Sequence, residues 1–165
     1  MKRIAKFEKV SFDEFVSSLP GNTKIDDAKK EYDLISLPLR ATAGSAGYDF
    51  FLTRGIALQP KTGIKLPTGI RCRIKEGWFL GMYPKSGLGF KYKVQLYNTV
   101  GIIDSDYYYS DNEGHIGLKI FNDGDQPIIL DAGKAICQGI FTEYGITDDD
   151  NATEIRNGGF GSTGK

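Results

Sequence analysis

The chain has 165 residues, enough for one domain with a proper core. Twenty-one Lys and Arg balance twenty-one Asp and Glu. No global field is therefore available to hold nucleic acid or an anionic membrane, and an anionic ligand has to be gripped locally. The opening stretch MKRIAKFEKVSFDEF interrupts every apolar run with charge, unlike a signal peptide, and no stretch has the length of a membrane span.

Cys72 and Cys137 fit neither a metal-type spacing nor a disulfide framework, which points to a reducing, cytoplasmic setting. A single histidine, His115, weighs against zinc sites built on several imidazoles and against a Ser-His-Asp triad. It sits in the turn-like run SDNEGHIG and reads as an exposed loop residue. Carboxylates, backbone amides or a substrate-borne metal are left to supply any chemistry.

In chain order, the first element is a short helix. SFDE reads as a capping box in which Ser11 accepts from the amide of Glu14 while Glu14 reaches back, and the helix runs to Ser18 before Pro20 and Gly21 stop it. This is the one helix the pattern supports. Period two then dominates through LISLPL, YDFFL, GIRCRI, WFLGMYP, VQLYN, IGLKIF, PIIL and AICQGIF, separated by Gly, Pro, Asn and Asp. The expected class is all-β, a sandwich, jelly roll or barrel. Cys72 and Cys137 fall inside alternating strands as small buried apolar residues, and Trp78 and most Phe read as core. TDDDNATE reads as a solvated, mobile connector.

Three segments resist a purely structural reading. In YPKSGLGFK, Lys85 and Ser86 precede Gly87 and Gly89 directly after a strand, which reads either as a commonplace glycine turn or as a set of groups suited to phosphate oxygens; no P-loop ending and no strong helix follow. In YNTVGIIDSDYYYSDNEGHIGLKIFN, two apolar strands flank a long tyrosine-rich connection, which reads as a hairpin. Asp104 ends the apolar run VGII, either capping the turn together with Asp106 or carrying a task. The third segment, RNGGFGSTGK, combines Arg156, glycines, Phe160 and two hydroxyls, which reads either as an ordinary disordered terminus or as a segment closing over a ligand, guanidinium on a phosphate and ring on a planar base.

Taken together these segments resemble the homotrimeric dUTP pyrophosphatase (dUTPase) family. The five motifs stand in order as AGYDF at 46–50, YPKSGLG at 83–89, NTVGIIDSDY at 98–107, GKAICQ at 133–138 and RNGGFGSTG at 156–164. The resemblance implies a distorted jelly-roll or β-barrel core over 34–144, an N-terminal extension over 1–33 carrying the short helix, and a connector and lid over 145–165. It implies hydrolysis of dUTP to dUMP and pyrophosphate, with Asp104 as the base that orients water toward the α-phosphorus. Asn98 reads the uracil edge, and Tyr107 packs on deoxyribose, with Tyr108 and Tyr109 as alternatives because the turn is longer than the family's. Lys85, Ser86, Gly87 and Gln138 hold phosphate oxygens, and Gly101, Ile103 and Gly161 add substrate contacts. Arg156 clamps the γ-phosphate, Phe160 covers uracil, and Ser162 and Thr163 bind terminal oxygens. Mg²⁺ rides mainly on the phosphates, with Asp49 supporting it through water. Active sites are shared between copies of a homotrimer, in the cytoplasm or a host's cytoplasm.

Lys85 stands where the family usually has Arg, replacing a bidentate fork with a point charge. A related reading, dCTP deaminase, requires a Glu where Lys119 stands here. A third reading, a dUTP sensor acting on a protein partner, would not need Asp104.

Overall fold

The structure, a computed structural model, describes residues 2–154 and 156. Alternation of apolar and polar side chains builds most of it. In β5 (Ile70–Ile74), Ile70, Cys72 and Ile74 point inward while Arg71 and Arg73 point out. β1 (Ala5–Lys9) lies antiparallel to β5, with Phe7 opposite Cys72.

A four-stranded sheet runs β2 (Tyr48–Phe51), β11 (Ala135–Glu143), β6 (Trp78–Pro84), β8 (Gly101–Ile103). A three-stranded sheet runs β4 (Gly63–Pro67), β9 (Gly117–Asn122), β7 (Val94–Leu96), and β3 (Ile56–Leu58) pairs with β10 (Ile128–Leu130). The core between them contains Phe15, Phe50, Leu80, Met82, Ile116 and Ile120, all less than 3% exposed. Gly139 lets the sheet close on it, since a Cβ there would lie 2.7 Å from Leu80 Cδ1 and 3.0 Å from Phe50 Cε2. The expected all-β jelly-roll class holds. Among the described residues no helix is long and apolar enough to cross a membrane.

Several local expectations are corrected. The helix α1 (Phe12–Ser18) forms where expected, and the Glu14 amide donates to Ser11 Oγ at 3.1 Å. Glu14 does not reach back, because its carboxylate is taken by His115 and the Ser11 amide by Glu113. Among the described residues two further α-helices form. α2 (Ile25–Asp33) is polar enough to bury only Ala28 and Glu31, so its apolar stripe is too thin to read from spacing. α3 (Ser86–Tyr92) directly follows YPK despite two glycines; Leu88 anchors it and Lys93, at φ 54°, closes it with its amide on the Gly89 carbonyl.

LISLPL is not a strand and contributes only the bridge between Leu39 and Asp49. β8 and β9 do not form a hairpin, since β8 pairs with β6 while β9 pairs with β4 and β7. Residues 104–116 instead cross from one sheet to the other. Trp78 is only partly buried against the core, and Phe90 is 93% exposed.

Candidate active site

Pairing in the large sheet assembles the first cluster. Asp49 stands opposite Gln138, and Gln138 opposite Tyr83. A Cβ on Gly47 would run into the Gln138 side chain, so the glycine of AGYDF leaves room for that amide, whose Nε2 donates to the Pro84 carbonyl at 3.2 Å. Lys85 Nζ donates to Asp49 Oδ1 at 2.7 Å, with side-chain exposures of 29% and 14%. Lys85 occupies the N-cap of α3, yet its side chain makes no capping bond. Ser86 and Gly87 are exposed in the first turn beside it. A cavity of about 580 Å³ opens here, lined by Lys85, Lys91, Lys134 and Asp131 among others, which gives it three ammonium groups against one carboxylate.

At the opposite edge of the sheet, β8 borders a second cavity of about 480 Å³, lined by Met82, Asn98, Gly101, Ile103, Lys65 and Lys119 among others. A Cβ on Gly101 would sit 3.2 Å from Met82 Cβ and 3.7 Å from Asn98 Nδ2, so the glycine keeps this wall open. Thr99 holds φ 66°, a conformation a β-branched residue rarely adopts, and the Val100 amide closes onto the Asn98 carbonyl at 2.7 Å. Backbone strain of this kind concentrates at functional sites. Here it presents Asn98 to the cavity.

Asp104 leaves β8 directly after Ile103. It takes the N-cap position of the 3-10 helix Ser105–Tyr109, but its carboxylate makes no capping bond. Of the two readings, turn cap and chemical task, the first is therefore not how the side chain is used. Arg156 donates to Asp104 Oδ2 at 2.7 Å and its Nε lies 3.4 Å from Asp106. That Nε is buried and among the described residues has no hydrogen-bond acceptor, and the guanidinium lies 5.7 Å from the centre of the Tyr107 ring.

Tyr107 is the tyrosine beside this group. Tyr108 is engaged elsewhere, donating to Glu8 and stacking on Arg71, and Tyr109 is 77% exposed. The Tyr107 hydroxyl donates to the His115 carbonyl at 2.8 Å and accepts from Asn112, and burial raises its pKa, so the proton stays on. Phe160, Gly161, Ser162 and Thr163, and the closing segment they belong to, lie outside the described residues.

His115 is not the exposed loop residue expected. It is 4% exposed, packed near Phe15, with the Gly69 amide donating to Nε2 at 2.9 Å and Nδ1 3.1 Å from Glu14 Oε1. An accepting Nε2 places the ring proton on Nδ1, which donates to Glu14. Burial pushes its pKa down, consistent with this neutral tautomer. No local pattern discloses the contact, because its partners are 101 and 46 positions away.

The two edges of the sheet are separated by three strand steps. Asp49 registers through Gln138 with Tyr83, and Asp104 follows Ile103, which registers with Leu80, so the two carboxylates stand roughly 14 Å apart across the sheet and roughly 13 Å apart along it.

A family model described as dUTPase matches residues 33–164. The chain belongs to the dUTPase family. It is similar to deoxyuridine 5'-triphosphate nucleotidohydrolases of Lactococcus lactis, 38% identical over 79% of this chain and 89% of that one, and of Mannheimia succiniciproducens, 38% identical over 78% and 87%. The dUTPase of Streptococcus mutans superposes with a TM-score of 0.66 at 30% identity, covering 86% of this chain and 98% of that one. A dUTPase of Staphylococcus bacteriophage 80alpha reaches a TM-score of 0.66 at 17% identity over 93% and 98%, a likeness of fold. The dUTPase family match begins at Asp33, the last residue of α2, so β1, α1 and the rest of α2 precede it.

Proposed function

We propose that the protein hydrolyses dUTP to dUMP and pyrophosphate. The observation that carries this reading is the Asp104 carboxylate. It directly follows Ile103, which lines the cavity together with Asn98 and Gly101, is free of any capping role, and is covered by Arg156. In the reaction Asp104 orients water toward the α-phosphorus and takes up its proton, a task of positioning as much as of basicity. Asn98 pairs with the uracil edge and the Tyr107 ring lies against the sugar, leaving no space for a 2′-hydroxyl. Incoming phosphate draws Arg156 off Asp104 and gives its orphaned Nε an acceptor, which frees the base as substrate arrives. Phe160, Gly161, Ser162 and Thr163 complete the closing segment.

Ser86, Gly87, Lys85 and Gln138 serve the phosphate oxygens. The donor set suits Mg²⁺ on the triphosphate: Asp49 Oδ1 takes Lys85, and Oδ2 is a hard oxygen able to hold a coordinated water. A relative, the dUTPase of phage phi11 of S. aureus, coordinates a structural Mg(II) ion. When bound, the ion withdraws charge from the phosphate oxygens. The separation of Asp49 from Asp104 supports active sites shared between copies in a homotrimer. Two free, buried thiols suit a cytoplasmic setting.

Incubation of the pure protein with Mg²⁺ and, separately, dUTP, dCTP, dTTP and UTP tests the assignment. Pyrophosphate from dUTP alone is expected. Ammonia from dCTP would make it a deaminase, against the two ammonium groups of Lys65 and Lys119 in the cavity where that reaction needs a carboxylate. Asp104→Asn is expected to bind dUTP and to lose at least a hundredfold in kcat; binding without turnover in the unaltered protein would favour a sensor.

A further inference from the structure

The segment preceding the dUTPase family match grips the catalytic turn at three points. Ser11 donates twice to Glu113, from its amide at 2.8 Å and from its hydroxyl at 2.6 Å. Glu14 accepts from His115 Nδ1, and Glu8 accepts from the Tyr108 hydroxyl at 2.5 Å. The turn side is built to receive them. Glu113 holds φ 55° and Gly114 φ 70°, and a Cβ on Gly114 would lie 2.7 Å from both the Tyr107 carbonyl oxygen and Tyr108 Cα. The turn thus folds back on its own tyrosines with no clearance. Arg71 closes the other side, donating to the Tyr108 carbonyl at 3.0 Å and lying 3.6 Å from Glu113.

The decisive link is the His115 backbone. Its ring is fixed between Glu14 and the Gly69 amide, and its carbonyl accepts from the Tyr107 hydroxyl at 2.8 Å, with Asn112 donating to that same hydroxyl. A displacement of the ring moves the carbonyl that holds Tyr107.

We propose that Glu14 and Ser11 are positioning residues for substrate selection, acting through His115 and Glu113 to hold the Tyr107 ring against the sugar. The inference rests on the assignment of Tyr107 to the sugar made above. Glu14 and Ser11 touch no substrate; they set how tightly the turn refuses a ribose. The selectivity of dUTP over UTP, the ratio of the two kcat/KM values, reads this directly. A variant that merely unfolds part of the sample lowers both values alike and leaves the ratio unchanged.

The ratio is measured for the full chain and for Glu14→Ala, Glu14→Gln, Ser11→Ala and Tyr107→Leu. Glu14→Ala is expected to lower it by about tenfold, a glutamine that still accepts from Nδ1 to restore most of it, and Ser11→Ala to lower it by about threefold. Should Glu14→Ala fold poorly, Ser11→Ala carries the same test, removing the hydroxyl's bond to Glu113 and the cap bond it accepts from the Glu14 amide while the Ser11 amide still donates to Glu113. If Tyr107→Leu lowers the ratio and neither N-terminal variant does, the positioning role is overturned while the sugar assignment stands. If Tyr107→Leu leaves the ratio unchanged, the sugar assignment falls and this inference with it.

Discussion

At the scale of single residues, the exchange of Arg for Lys at position 85 is decided by what the side chain meets. Its ammonium is fixed on Asp49 at 2.7 Å, a contact one donor satisfies, so the missing guanidinium fork costs the pair little. Lys85→Arg should therefore keep kcat within about threefold and leave the KM for dUTP equal or lower. Lys85→Ala should raise KM by about tenfold, because it strips a charged hydrogen bond from the largely buried Asp49 carboxylate and a cation from the phosphate cluster. Steady-state kinetics on both variants checks this, and an unchanged KM in Lys85→Ala would remove Lys85 from the phosphate site. The cysteines make a complementary case. Alternation in GIRCRI and AICQGIF already placed both inside, and burial pushes the Cys72 thiol up to about 12 and raises that of Cys137 as well, so neither serves as a nucleophile.

At the scale of elements, the crossing turn 104–116 depends on a neutral imidazole. Glu14 from α1, Glu113 from the turn and Lys65 from β4 face His115, and burial outweighs the two carboxylates to hold its pKa below 6.5. The unfolded chain therefore binds a proton on acidification before the folded chain does. The contribution of His115 to stability is whole above pH 6.5 and is lost as pH falls below that value toward the lowered folded one. Glu113 has the carboxylate sign: its pKa is lowered by the two Ser11 hydrogen bonds, and its contribution is present above 4.5 and lost as pH falls through the folded value. The thermal midpoint should fall between pH 7 and pH 5.5, and His115→Gln should flatten that step while leaving the drop below pH 4.5. A midpoint constant from pH 7 to 5.5 in the unaltered chain would show that the imidazole accepts a proton in place. This turn also marks where sequence reading ends. Period two located β5 and β9 because each buries alternate residues against one core, while β2, β6 and β11 stood out as apolar runs between turn residues. The same logic could not say that β8 and β9 belong to different sheets, since pairing partners are chosen by contacts distant in sequence. α3 escaped because its two glycines argue against a helix that Leu88 and the Lys93 cap nonetheless hold.

At the scale of the whole molecule, the motifs were legible as a set while their distribution in space was not. Asp49, Lys85, Ser86 and Gln138 collect at one edge of the large sheet, and Asn98, Gly101 and Asp104 at the other. Apolar side chains stand exposed at both places: Phe90 at 93% and Ile129 at 78% near the phosphate cluster, and Ile102 at 51% on β8. Surfaces of this kind suit burial against another copy of the chain, which would bring the phosphate cluster of one to the Asp104 of the next. Complementation decides the matter. Asp104→Asn and Ser86→Ala are each expected to be nearly inactive. In oligomers reassembled from an equal mixture, a site drawing Asp104 from one chain and Ser86 from another is intact whenever each donor chain carries the unaltered residue. Random assembly then restores roughly a quarter of the unaltered activity, whereas sites contained within one chain recover none. Mixing without prior dissociation is the control, because exchange-incompetent oligomers remain inactive in either case. Recovery after reassembly would assign the two edges to different copies. Its absence, with mixed oligomers demonstrated by mass, would require each chain to bring its own edges together over the substrate.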